Sequence, residues 1–126
     1  MILVYVRQIH GKKEKVMYKN RSVVLVVGLG SRRRPLIAAL ECDGYETLEA
    51  QDGFGALQMA IDRDVDVLIT DDEMPGLTGS ELIGIVRKHG AVGHCLLLSD
   101  LGAPFDPEQV LLKVRESCPV PSLQLH

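Results

Sequence analysis

The residues best placed to do chemistry in this chain are Asp71, Asp72 and Glu73. They end the apolar run from Val65 to Thr70 and precede the turn Met74-Pro75-Gly76. In an α/β protein, ligands and reacting groups gather at the carboxyl ends of parallel strands. A carboxylate there is a candidate acceptor or metal ligand. A second candidate is the pair Gly28-x-Gly30 after a β-branched run, with Glu49 about 20 residues on, as a dinucleotide fingerprint expects. Its third glycine position holds Arg33, which would crowd a pyrophosphate. The histidines (His10, His89, His94, His126) and cysteines (Cys42, Cys95, Cys118) are scattered, without metal-ligand or redox spacing. The cysteines read as reduced thiols of a cytoplasmic protein.

These residues need a scaffold, and the chain alternates strand and helix signals. Val23 to Val27 is a β-branched run suited to a strand buried on both faces. A helix from Arg34 to Cys42 follows, with Pro35 in its first turn and Leu36, Ile37 and Leu40 inward. Tyr45 to Ala50 reads as a second strand. Asp52 suits the N-cap of a helix over about 53–63, with Phe54, Leu57 and Ile61 on one face. Val65 to Thr70 is the third strand. Ser80 is read as the cap of a helix reaching about His89, and Cys95 to Leu98 as the fourth strand. Asp106 and Pro107 open a last helix to Ser117, with Val110, Leu111 and Val114 inward. This alternation predicts an α/β fold with a doubly wound parallel sheet.

The chain has 126 residues, enough for one domain. Its composition, 46% hydrophobic and 25% charged, is that of an ordinary globular protein. Residues 1–21 form a basic leader with strand-like character, 22–118 the main domain and 119–126 a frayed tail. The leader carries +5 and the remainder −8, which gives the net −3 and argues against nucleic-acid binding by the body. No apolar stretch approaches the roughly 20 residues of a membrane span.

Three segments carry a family resemblance: Val65–Gly76, Asp43-Gly44-Tyr45 through Asp52-Gly53, and Ala103-Pro104-Phe105-Asp106-Pro107-Glu108. From Ser22 to Ser117 the chain resembles a bacterial response-regulator receiver domain, with a CheY-like, flavodoxin-like fold. The resemblance implies two-component phosphorelay signalling, with a histidine kinase or another signalling protein as partner. It makes Asp71 the phosphoacceptor and Ser99 the switch residue that binds a phosphoryl oxygen. It also implies Mg²⁺ on Asp71 and the backbone carbonyl of Glu73.

Three departures from the family pattern stand out. The acidic pair that would complete the Mg²⁺ site is replaced by Gly28-Leu29-Gly30, and no carboxylate lies between Glu14 and Glu41. Ala103 replaces the family lysine before Pro104. Only Asp100 to Ala103 separate Ser99 from Pro104, too few residues for the fourth helix and most of the fifth strand. The leading expectation is a degenerate receiver, not an enzyme, that acts by protein–protein contact. The alternatives are a phosphorylation-competent receiver and, more remotely, a nucleotide-binding module. Asp72 and Glu73 are then either solvated or substitute metal ligands. Arg32 to Arg34 are a solvated helix start, a stand-in for the lysine, or ion-pair partners of Asp71–Glu73. Loss of strand five should leave strand four as a bare edge, covered by residues 1–16 or by a second copy in a homodimer.

Overall fold

The computed structural model describes residues 3–9, 12–18, 22–101 and 105–117. The leader forms an antiparallel hairpin of β1 (Leu3–Ile9) and β2 (Lys12–Tyr18), paired from Leu3↔Tyr18 to Ile9↔Lys12. The body follows as β3 (Val23–Val27), α1 (Arg33–Cys42), β4 (Glu46–Ala50), α2 (Gly53–Asp62), β5 (Val65–Thr70), α3 (Gly79–Lys88), β6 (Val92–Leu97) and α4 (Pro107–Ser117). Single 3-10 turns precede α1 (Gly30–Arg32) and follow β6 (Leu98–Leu101).

The body's four strands are parallel in the order β4-β3-β5-β6. This is the doubly wound α/β sheet the alternation implies. β3 is buried at every position, which explains its unbroken Val/Leu run. On one face, Val24, Val26, Val67 and Ile69 pack with Leu36, Leu40, Val110 and Val114 of α1 and α4. On the other, Leu25, Val27 and Leu68 pack with α2 and α3 through Ala56, Ala60, Leu82 and Val86. Among the described residues, the chain passes from β6 through one 3-10 turn to α4, without a helix and strand between them.

Four readings of the sequence are corrected. In α2 the buried face is Gly53, Ala56 and Ala60, while Phe54 and Ile61 are each 62% exposed. The small side chains let this helix lie close on the sheet. Phe54 instead covers the Pro-Gly turn, its ring lying where a side chain on Gly76 would project. The cap of α3 is Thr78, not Ser80. Its hydroxyl accepts from the Glu81 amide, and Glu81 accepts from the Thr78 amide, a reciprocal capping box. β6 begins at Val92, three residues earlier than the sequence suggests, because Gly93 and His94 are exposed positions of an edge strand and carry no apolar signal. The leader's strands pair with each other and not with β6.

Asp52 does cap α2, accepting from the Gly55 amide at 2.8 Å. The single acid inside β5, Asp66, accepts from the Val23 amide at 2.7 Å and so fixes the start of β3.

α4 is tied to the end of α1 by a two-pronged ion pair. Arg115 Nε and Nη2 donate to Asp43 at 2.7 and 2.6 Å. The Arg115 hydrogen bonds hold the Asp43 carboxyl below its ordinary pKa against partial burial. A depressed acid stabilises the fold above its unfolded pKa of about 3.9 and loses that contribution as pH falls through the folded value. Arg115→Gln should therefore lower the urea midpoint more at about pH 7 than at about pH 3, below the unfolded value, where part of the contribution is lost. An equal loss at both pH values would exclude the pair as its source.

Candidate functional site

The acidic loop is set by the end of β5 and the start of α3. Asp71 leaves the sheet with its amide bonded to the Val27 carbonyl at 3.2 Å, so it sits beside the loop after β3. Its side chain is 24% exposed. One carboxylate oxygen accepts from the Asp72 amide at 3.0 Å, and the other lies 3.4 Å from Arg32 Nη2. Arg32 is held in turn by its Nε bond to the Leu29 carbonyl and by stacking 5.7 Å over the Phe105 ring. The first of the three arginines is thus an ion-pair partner of Asp71.

Asp72 has a different assignment. Its carboxylate accepts from the Ser99 hydroxyl at 2.5 Å and from the Ser99 amide at 3.0 Å. This double bond-set joins the acidic loop to the 3-10 turn after β6. Asp72 is therefore not simply solvated: both of its carboxylate oxygens accept from Ser99. Glu73 is exposed. Ala103 and Pro104 lie outside the described residues.

The loop after β3 lies beside Asp71. Gly28 has φ 75°, and a Cβ there would lie 3.2 Å from both Asp71 Cβ and Met74 Sδ. Leu29 is also left-handed at φ 69°, a conformation that costs a non-glycine residue about 1–2 kcal/mol. Burial of its side chain to 2% exposure, in the α1–α4 core, offsets that cost. The loop after β3 thus presents backbone to Asp71, with Met74 of the acidic loop packed over Gly28, and contributes no side-chain oxygen ligand. Among the described residues, no three His, Cys, Asp or Glu side chains converge as a metal site. The side chains beside Asp71 do not fit the Mg²⁺ that the family resemblance implies.

Arg33 and Arg34 turn away from the acidic loop to Glu49, at 2.9 and 3.7 Å. Arg33 also donates to the Gly28 carbonyl at 3.0 Å. The Gly28-x-Gly30 loop and Glu49, the residues of the dinucleotide reading, are thus engaged by the chain's own arginine.

The sequence separates Asp72 from Ser99 by 27 residues, and no local signal announces their bond. The Arg32–Asp71 pair stood among the open sequence alternatives. Asp71, Ser99 and the Glu73 position do fall together at the carboxyl end of the sheet.

Comparison with known proteins places this arrangement. The sequence model of the response regulator receiver domain matches residues 31–114. Chemotaxis protein CheY-3 of Vibrio cholerae is 33% identical over 99 residues, covering 78% of this chain and 75% of that protein. Chemotaxis protein CheY of Pseudomonas aeruginosa is 39% identical over 77 residues, 60% of this chain and 62% of that protein. The structure of the chemotaxis response regulator CheY4 of Vibrio cholerae superimposes with a TM-score of 0.66 at 28% identity, over 76% of this chain and 98% of that one. The receiver domain of Francisella response regulator 1452 matches with a TM-score of 0.66 at 25% identity, over 75% and 94%. No helix among the described residues is long and apolar enough to cross a membrane. Sheet order, acidic loop and these matches agree: the chain belongs to the response regulator receiver domain family, as a CheY-like receiver of two-component signalling.

Proposed function

We propose that this receiver has left phosphotransfer behind and transmits its signal by protein–protein contact. The observation that carries the reading is the double engagement of the site. Asp71 is paired with Arg32, and Ser99 is held through both its hydroxyl and its amide by Asp72. The two positions the family uses for an incoming phosphoryl group are thus occupied by groups of the same chain. Residues 22–118 act as the receiver unit and the basic leader, residues 1–21, as an appendage suited to acidic surfaces. The partner is a histidine kinase or another signalling protein, and a second copy is a further partner across the open edge of β6.

A second reading has its own support. Asp71 keeps partial exposure, and Arg32 lies where a cation would offset a phosphoryl charge. On that reading the site is an atypical working receiver.

Mg²⁺ separates the two at the level of binding. A ligand present at ten times its Kd stabilises a fold by about 1.4 kcal/mol. The first reading expects no change in melting temperature between EDTA and millimolar MgCl₂, with CaCl₂ as a control for ionic strength. A Mg²⁺-specific rise abolished by Asp71→Asn would favour the second.

A further inference from the structure

The 3-10 turn after β6 and the entry to α4 both reach back to the acidic loop. In the turn, Leu98 and Leu101 pack with the α1–α4 core, while Ser99 and Asp100 between them are exposed. Ser99 is fastened from outside the turn, by the Asp72 carboxylate, through its hydroxyl and its amide. Just before α4, Phe105 packs against the same core and has the Arg32 guanidinium 5.7 Å over its ring. Arg32 Nη2 in turn lies 3.4 Å from Asp71 Oδ2.

The two carboxylates are themselves joined, because Asp71 Oδ1 accepts from the Asp72 amide at 3.0 Å. The contacts therefore form one continuous line from the Phe105 ring through Arg32, Asp71 and Asp72 to Ser99. Its middle is anchored in the fold. The Asp71 amide donates to the Val27 carbonyl, and the Asp72 carbonyl accepts from the Gly79 amide at the start of α3. Its outer links differ in strength. Ser99 donates two short bonds to an anion, and bonds of that kind exceed neutral ones. The Arg32 contacts are longer, and its guanidinium is partly exposed.

We infer that this line is a conformational device built into the fold. Asp72 is the latch that holds the turn after β6 against the acidic loop, and Arg32 couples that latch to the entry of α4. Removing the Asp72 carboxylate releases Ser99 and leaves the turn held by the packing of Leu98 and Leu101. Removing the Arg32 guanidinium takes the cation from Asp71, and its effect reaches Ser99 only through the Asp71–Asp72 bond. The first effect is therefore large and direct, the second smaller and transmitted. The device deepens the contact-only function, on which it rests, by naming the residue that controls the surface after β6.

The test is amide hydrogen exchange of the full chain, followed residue by residue by NMR. The Ser99 amide is expected to be protected in the wild type. Asp72→Ala should speed its exchange by at least about tenfold, the scale of a hydrogen bond to a charged acceptor. Ser99→Ala keeps the amide bond and should speed it less. Arg32→Gln should speed it at least about twofold, the lower end of coupling through such networks. In the Asp72→Ala background Arg32→Gln should add nothing at residue 99, because the link is already cut. Unchanged exchange at Leu68 and Ile69, in the buried strand β5, verifies that each variant is folded. A freely exchanging Ser99 amide in the wild type, or one indifferent to Asp72→Ala, would overturn the latch. Additive effects of Arg32→Gln and Asp72→Ala would overturn the coupling. The latch and the contact-only function fail separately. An Asp71 acyl phosphate would remove that function and leave the protection of Ser99 in the unmodified chain as it is. An unprotected Ser99 removes the latch whatever the phosphorylation assay shows.

Discussion

Gly79→Ala lowers the stability of the protein by about 3 kcal/mol and disorders the acidic loop. Gly79 is the first residue of α3, and a Cβ there would lie 2.1 Å from the Asp71 carbonyl oxygen and 2.8 Å from Leu97 Cδ1. The first of these is backbone, which no rotamer change relieves. The loop would have to move away from α3, taking with it the Gly79–Asp72 bond and the reach of Asp72 to Ser99. Gly84→Ala, five residues along the same helix, should do the reverse. Nothing lies within 4 Å of its Cβ position, and alanine favours a helix interior over glycine by about 1 kcal/mol. Urea denaturation of the two variants checks the contrast. Loss at Gly84, or none at Gly79, would contradict the close approach of helix and loop.

Much of this architecture could be read from the chain before its structure. The β-branched run at Val23–Val27 and the apolar run into Asp71 gave their strands directly, because both are buried on two faces. The last helix follows from Asp106, Pro107 and its apolar stripe. The misreadings have specific causes. In α2 side-chain size points to Phe54 and Ile61, whereas close packing on the sheet selects Gly53, Ala56 and Ala60 for burial. The Thr78-x-x-Glu81 box lay in the sequence, and Ser80 merely stood nearer the apolar residues. The opening of β6 carries no strand signal because an edge strand tolerates Gly93 and His94. The motif places Asp71 and Ser99 at the ends of adjacent strands, and there the structure has them. The Asp72–Ser99 bond has no such signal, since it depends on two loops brought together by the strand order β3-β5-β6. The lone Asp66 of β5 is likewise explained only by its long-range bond to the Val23 amide.

The second large effect concerns phosphotransfer itself. A carboxylate that attacks a phosphoryl group meets a second anion and needs fixed positive charge around both. If the family resemblance carries over position by position, the loop after β3 supplies Gly28 and Leu29 in place of carboxylates, and Ala103 stands in place of the lysine. The remaining cation, Arg32, is already committed to Asp71, to the Leu29 carbonyl and to the Phe105 ring. An incoming phosphoryl group would also have to displace Asp72 from Ser99, because two anions would compete for the same hydroxyl and amide. Asp72→Ala frees Ser99 but leaves the metal site incomplete, so it should restore little reactivity by itself. Each missing feature acts on the same step, and their effects compound.

The direct measurement is intact-mass analysis of the chain after incubation with acetyl phosphate and Mg²⁺, and separately with a phosphorylated histidine kinase. Asp71→Asn serves as the control. The engaged site described above predicts no stoichiometric phosphoryl adduct under either condition. A near-complete, Mg²⁺-dependent adduct that disappears in Asp71→Asn would contradict it.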